Sequence, residues 1–156
     1  MVICIDIGGT AIKYGVATAE GIFLTHGSVP TEAKEYGGVG IVEKVSAIVR
    51  EAQQTHAVHG VAISTAGMVD PQAGCIVYSL EDAIPNYTGT NWKALMRDAF
   101  ALPASVENDV NCAALGEMWK GAGRGCSSLF AMTIGTSIGG ALILDGHIVH
   151  GASMSA

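Results

Sequence analysis

Apolar strands in this chain break on glycine-rich turns, and they do so twice in the same way. Met1–Ile7 (MVICIDI) meets Gly8-Gly9-Thr10 and resumes as AIKYGVAT over 11–18, while Leu129–Ile134 meets Gly135-Thr136-Ser137 and resumes toward Ala141–Leu144. A β-rich apolar run, a short glycine turn and a second β-rich run specify a hairpin. Recurrence of the unit, as Asp6-Ile-Gly-Gly-Thr10 and then Thr133-Ile-Gly-Thr-Ser137, points to two related lobes, the second cut short.

Between the repeats the apolar period changes. Residues 22–29 (IFLTHGSV), after a Glu20-Gly21 turn, give a third strand and complete an antiparallel meander. Ile41, Val42, Val45, Ile48, Val49 and Ala52 then recur at helical spacing, which predicts an amphipathic helix over 39–54. A buried strand over 58–64 follows, then a turn at Asp70-Pro71 and Gly74. Asn91 caps a helix that runs to Phe100 with Trp92, Leu95, Met96 and Ala99 inward. Pro103 stops it, 104–107 forms a short strand, 109–120 a further helix, and Gly121, Gly123 and Gly125 a flexible passage into a second meander with a turn at Asp145-Gly146. A meander followed by alternating helices and strands places the chain in the α/β class.

Composition narrows the partners. With 49% apolar residues and a mean hydropathy of +0.40 the chain can bury enough surface to order itself. Eight basic against 14 acidic side chains, a net charge of -6, argue against nucleic acid or an anionic membrane as a partner. Charged residues make up only 14%, against roughly 25% in ordinary soluble domains. Part of the surface is therefore expected to lie against a partner or a further domain. Cys4, Cys75, Cys112 and Cys126 form no C-x-x-C pair and no secretory signal is seen, so they are expected as reduced, mostly buried thiols of a cytoplasmic protein. The uncharged stretch from Gly125 to Leu144 is long enough to span a membrane, but four glycines and several hydroxyls divide it, so it is expected as a buried hairpin.

The glycine turns carry the first candidate chemistry. Successive unpaired N–H groups in a turn make a concave anion site, and glycine lets phosphate oxygens approach without a Cβ in the way. Thr10 adds a hydroxyl and Lys13 a cation. Asp6, at the strand end, is a poor phosphate ligand but a suitable partner for a magnesium ion or its waters. A plain hairpin explains one such turn; two of them, with Asp, Thr and Lys clustered on them, favour phosphate binding. No Walker motif is present, and Gly121-Ala-Gly123-Arg-Gly125 has the wrong spacing for a dinucleotide fingerprint and precedes a strand.

The second candidate is Glu107-Asn108-Asp109-Val110-Asn111, where a strand passes into a helix. Helix capping accounts for one of these polar groups, ligand binding at a strand end for more, and spacing leaves both open. The pairs His56/His59 and His147/His150 lack a carboxylate or thiol at ligand spacing. Trp92 and Trp119 are expected in the core or at a lobe interface.

Taken in order, Asp6-Ile-Gly-Gly-Thr-Ala-Ile-Lys13, Glu107-Asn-Asp-Val-Asn-Cys-Ala-Ala-Leu-Gly-Glu117 and Thr133-Ile-Gly-Thr-Ser-Ile-Gly-Gly140 resemble the ROK family of bacterial sugar kinases and sugar-responsive repressors, over essentially the whole chain. The resemblance implies an actin-like, ribonuclease H-like fold: an N-terminal lobe with a mixed sheet over 1–121, and the first strands of a truncated second lobe over 122–156, with ATP and sugar in the cleft between lobes. It implies that Asp6, Gly8, Gly9, Thr10 and Lys13 form a first phosphate and magnesium turn, with Asp6 reaching Mg2+ through water, and that Gly135 and Thr136 form a second. Asp109 is then the catalytic base, Asn108 a sugar-hydroxyl ligand, and Gly67 and Asn86 part of the sugar pocket. The implied activity is ATP-dependent phosphorylation of a hexose or hexoside, expected at the 6-hydroxyl, by a cytoplasmic enzyme for which a homodimer is expected.

Ala66 stands where the family commonly has proline, and Ser137 where it has glycine. The family's Ala-Gly-Glu-x-Gly-His sugar motif would start at Ala156, with its zinc motif beyond, so the chain is expected to be the first half of a kinase and inactive by itself. The alternatives are a repressor-type sugar-binding domain, whose winged helix-turn-helix would precede a first strand that here begins at Val2, or a catalytically inactive fragment.

Overall fold

The computed structural model describes residues 1–135 and 138–154. Contacts divide the chain into two compact units, Met1–Glu107 and Asn108–Ala156. The first contains β1 (Val2–Ile7), β2 (Ala11–Ala17), β3 (Phe23–Pro30), α1 (Ala33–Thr55), β4 (Gly60–Thr65), β5 (Met68–Asp70), β6 (Cys75–Tyr78), α2 (Trp92–Phe100) and β7 (Ala104–Asn108). Its main sheet runs β3-β2-β1-β4-β7 and is mixed: β1, β2 and β3 form the antiparallel meander, and β4 lies parallel to β1.

Strand alternation sets the layout. Ile3, Ile5 and Ile7 are buried, with Val16 and Ile12 opposite them on β2 and Val61 and Ile63 on β4. On this apolar floor pack Ile41, Val45, Ile48 and Val49 of α1 and Trp92 and Met96 of α2. Asp6, one residue out of phase with the isoleucines, is directed to the other face. A one-residue slip of β1 would put its carboxylate in the core, so register is strongly specified. Asn91 Oδ1 accepts the Ala94 N–H at 2.9 Å, the expected cap of α2. Ala99, expected inward, is exposed, because the buried stripe of this short helix is held by Trp92 and Met96.

Helix α1 begins earlier than its apolar period suggests, and Gly37 (φ 57°, ψ -157°) breaks it after one turn. Gly38 donates its N–H to Pro85 O at 2.8 Å. A Cβ on Gly37 would lie 2.5 Å from Pro85 O, and one on Gly38 would collide with Asn86 O. The two glycines form a notch that seats the backbone of 85–87. Beneath it, Trp92 Nε1–H donates to Tyr87 OH at 3.0 Å and Tyr87 OH meets Thr65 Oγ1 at 2.8 Å, joining α2, this loop and the end of β4. The β5–β6 hairpin has no counterpart in the sequence expectation beyond its turn: its inward residues are only Val69 and Ile76, too few to show a period.

The second unit contains α3 (Asp109–Lys120), β8 (Leu129–Ile134), β9 (Ile138–Leu144) and β10 (His147–Ile148), in an antiparallel sheet of order β10-β9-β8. Asp145 (φ 49°) and Gly146 (φ 79°) give the pair of left-handed residues that a two-residue hairpin turn prefers. Ala114, Ala141 and Ile143 form a small core with Val110, Met118, Leu129, Ala131 and Ile148. The hairpin expected to be buried is covered on one face only. Phe130, Met132, Ile134 and Ile138 remain 57–79% exposed, because α3 packs on the opposite side of the two strands.

One further expectation is corrected. Three of the cysteines are half-buried and Cys126 is exposed, so the thiols are less buried than expected. Of the two tryptophans, Trp92 is in the core and Trp119 is exposed near the end of α3, with Lys120 Nζ 4.7 Å above its ring. Among the described residues no helix is long and apolar enough to cross a membrane.

Replacing Gly37 by Ala should destabilise the first unit by about 1–3 kcal/mol in urea unfolding, since it combines a left-handed backbone with a collision against Pro85 O. Burial pushes the Tyr87 phenol up to about 12 from its ordinary 10.0. The folded chain therefore holds this proton more tightly than the unfolded chain. That stabilisation is complete below pH 10 and is lost as pH rises through about 12, so stability should fall by about 3 kcal/mol across this window. In Tyr87→Phe the fall should flatten; an unchanged slope would assign it to other groups.

Candidate phosphate and sugar site

The first turn is a two-residue hairpin. Ile7 pairs with Ile12, Gly8 donates its N–H to Ala11 O at 3.1 Å, and Gly9 and Thr10 are exposed at the crest. Below the crest Asp6 lies in register with Lys13 of β2 on one side and Ser64 of β4 on the other. Directly opposed residues share a face of the sheet, so an acid, a cation and a hydroxyl are gathered beneath the turn. Ser64 Oγ donates to Asp6 Oδ1 at 2.8 Å and orients the carboxylate. Motif spacing does not mark Ser64 as a partner of Asp6; its one signal in the sequence is its place as a polar residue in an apolar strand that pairs with β1. Cys4 stands two residues before Asp6 on this face, and burial pushes its thiol up, which makes it a weak nucleophile.

A magnesium ion takes one or two carboxylates, keeps several waters and completes its shell with phosphate oxygens. Asp6, with one oxygen steadied by Ser64, suits such water-mediated contact. No group of three or more His, Cys, Asp and Glu that could cage a metal occurs among the described residues.

The glycines separate by physical cause. Gly67 has φ +102° and a Cβ there would lie 2.8 Å from Tyr78 O, so the backbone itself demands glycine; Gly139 is pressed against Val110 of α3. A Cβ on Gly8 would come within 3.2 Å of Ala11 O. Among the described glycines, only Gly9, Gly116 and Gly135 combine open space within 4 Å of a Cβ with a backbone outside the left-handed region. Two of these three, Gly9 and Gly135, lie in the repeated turns, whose remaining glycine is Gly8. Thr136, expected beside Gly135, lies outside the described residues.

The loop after β4 carries Gly67. Because β4 is parallel to β1, with Thr65 beside Ile7, this loop leaves the same end of the sheet as the Gly8-Gly9 turn, which is where open α/β sheets bind ligands. Asn86 is exposed with φ 55°, and its N–H donates to Glu81 Oε1 at 2.9 Å in the loop seated on Gly37-Gly38.

In the second unit Asn108 is the N-cap of α3. Its Oδ1 accepts from Val110 N–H at 2.9 Å and Asn111 N–H at 3.3 Å. Asp109 is the first helical residue, half-buried, and its Oδ1 accepts from Val110 N–H at 3.0 Å. Asn108 is therefore the N-cap, and Asp109 sits beside it in the first turn of the helix.

The ROK family model matches residues 2–156. An uncharacterised protein of Clostridium perfringens is 53% identical over 152 residues, which are 97% of this chain and 51% of that protein. A beta-glucoside kinase of Listeria monocytogenes is 36% identical over 97% of this chain and 49% of its own length. Among solved structures, a ROK family glucokinase from Streptomyces griseus in complex with glucose and AMPPNP matches with a TM-score of 0.84 at 34% identity, covering 99% of this chain and 48% of that one. The chain spans about half the length of the relatives it matches. A family match that runs along the whole chain means that this protein belongs to the ROK family, and it has that family's actin-like, ribonuclease H-like α/β fold.

Proposed function

We propose that the chain is the N-terminal part of an ATP-dependent sugar kinase acting on a hexose or hexoside, with transfer to the 6-hydroxyl. One observation carries this reading: Gly9 and Gly135, one in each of the repeated turns, are glycines that the fold does not require. Close approach of a ligand to backbone supplies the missing reason, and N–H-rich turns select anions. The names of relatives support it, since one is a beta-glucoside kinase and another a glucokinase solved with glucose and AMPPNP.

In this reading Gly8, Gly9 and Thr10 form the first phosphate turn, the N–H groups of Gly9 and Thr10 and the Thr10 hydroxyl binding phosphate oxygens while Gly8 closes the hairpin on Ala11, with Gly135 and Thr136 as a second cradle. Lys13 adds positive potential beneath the first turn, and Asp6 holds the waters of a magnesium ion that neutralises charge on the phosphates. A chain of net charge -6 otherwise repels a triphosphate, so fixed dipoles and one divalent ion do the neutralising. Gly67, Asn86 and Asn108 line the sugar pocket. Asp109 takes the proton of the attacking hydroxyl as the sugar oxygen bonds to the γ-phosphorus and ADP departs with the electrons of the broken P–O bond. The same reading takes 1–121 as the first lobe and 122–156 as the opening of the second, in a cytoplasmic homodimer.

The relatives that bear these names are about twice as long, so the test belongs in a protein of their length, assayed by coupled ADP release over a panel of hexoses and hexosides. Asp109→Asn there should lower kcat by roughly 10²- to 10⁴-fold while sugar affinity holds within a few-fold. Turnover near the wild-type rate would reduce Asp109 to a helix-terminal residue.

A further inference from the structure

We infer that Thr31 is a positioning residue for the first phosphate turn: its buried hydroxyl sets the plane of the Gly8–Gly9 peptide, and with it the direction in which the Gly9 N–H is offered. The inference rests on the phosphate reading of that turn. Thr31 follows β3 and is fully buried, as few polar side chains are here. Its Oγ1 donates to Gly8 O at 2.6 Å and its N–H donates to Thr10 O at 3.0 Å. Its own carbonyl accepts from Lys44 Nζ at 3.0 Å, and the same ammonium binds Pro30 O at 2.8 Å and pairs with Glu32. Every polar group of Thr31 is engaged: two hold carbonyls of the turn, and the third fastens the residue to α1.

The consequence follows from peptide geometry. In a planar trans peptide the C=O and the next N–H point in opposite directions. Drawing Gly8 O toward the buried Thr31 turns the Gly9 N–H away from the protein body, at a residue with open space around it. The hairpin's own bond, Gly8 N–H to Ala11 O, belongs to the preceding peptide and does not fix this one. A Gly-Gly pair is the most freely rotating stretch a chain can contain. An anion site built on it gains from an external hold, because a donor already oriented need not be ordered when the ligand arrives.

The test is an amide-resolved NMR titration of the chain with magnesium tripolyphosphate, in wild type, Thr31→Ala and Thr31→Ser. Ala removes the hydroxyl without placing a methyl against Gly8 O; Thr31→Val, which keeps the volume, decides the matter should Thr31→Ala not fold. Titration should move the Gly9 and Thr10 amide resonances of the wild type. Affinity should drop roughly five- to tenfold in Thr31→Ala and stay within about twofold in Thr31→Ser, the difference one misaligned charge-assisted hydrogen bond makes. Unchanged affinity in Thr31→Ala, or an equal loss in Thr31→Ser, overturns the positioning role and leaves the phosphate turn standing. Wild-type Gly9 and Thr10 amides that do not respond overturn both.

Discussion

Strand β1 carries two demands at once, and the first unit is arranged around meeting both. Ile3, Ile5 and Ile7 must face the core, while Asp6 must not, and the period-two alternation of a strand satisfies this in only one register. Once that register is set, Lys13 and Ser64 fall opposite Asp6, and the hairpin crest falls at Gly9-Thr10. The apolar burial that stabilises the sheet is therefore also what aligns the polar groups of the site. Core and site are two faces of one strand.

On the proposed function, an acidic chain has to hold a triphosphate without a field of positive side chains. What the structure offers instead is backbone: N–H groups in glycine turns, with one lysine beneath the first. Fixed dipoles of this kind need no reorganisation when charge arrives, provided something keeps them pointed. The embedded threonine after β3, itself fastened by Lys44, has the geometry for that task. The Thr65–Tyr87–Trp92 network and the Gly37-Gly38 notch hold the neighbouring loop in comparable fashion.

Much of this was legible in the sequence, and the parts that were not share a cause. The opening meander, the Asn91 cap and the Asp145-Gly146 turn rest on short-range chemistry and stand where expected. The β5–β6 hairpin was hidden because Val69 and Ile76 are too few to form a pattern. The first turn of α1 was hidden because its burial comes from a notch on a distant loop rather than from an apolar stripe. Ser64 and Thr31 act on Asp6 and Gly8 across 58 and 23 residues of chain, distances over which spacing carries no signal. The β8–β9 hairpin shows the converse: its composition reads as buried, yet α3 covers one face and leaves Phe130 and Ile134 open.

The central claim is that a glycine which the fold does not need is there for a ligand. Gly9→Leu addresses it directly, by measuring thermal stability and ATP affinity on the same protein. With open space and an ordinary backbone at this position, stability should stay within about 0.5 kcal/mol of wild type, whereas ATP affinity should drop roughly tenfold or more as the side chain fills the cradle. Undiminished ATP affinity in a folded Gly9→Leu protein would contradict the account.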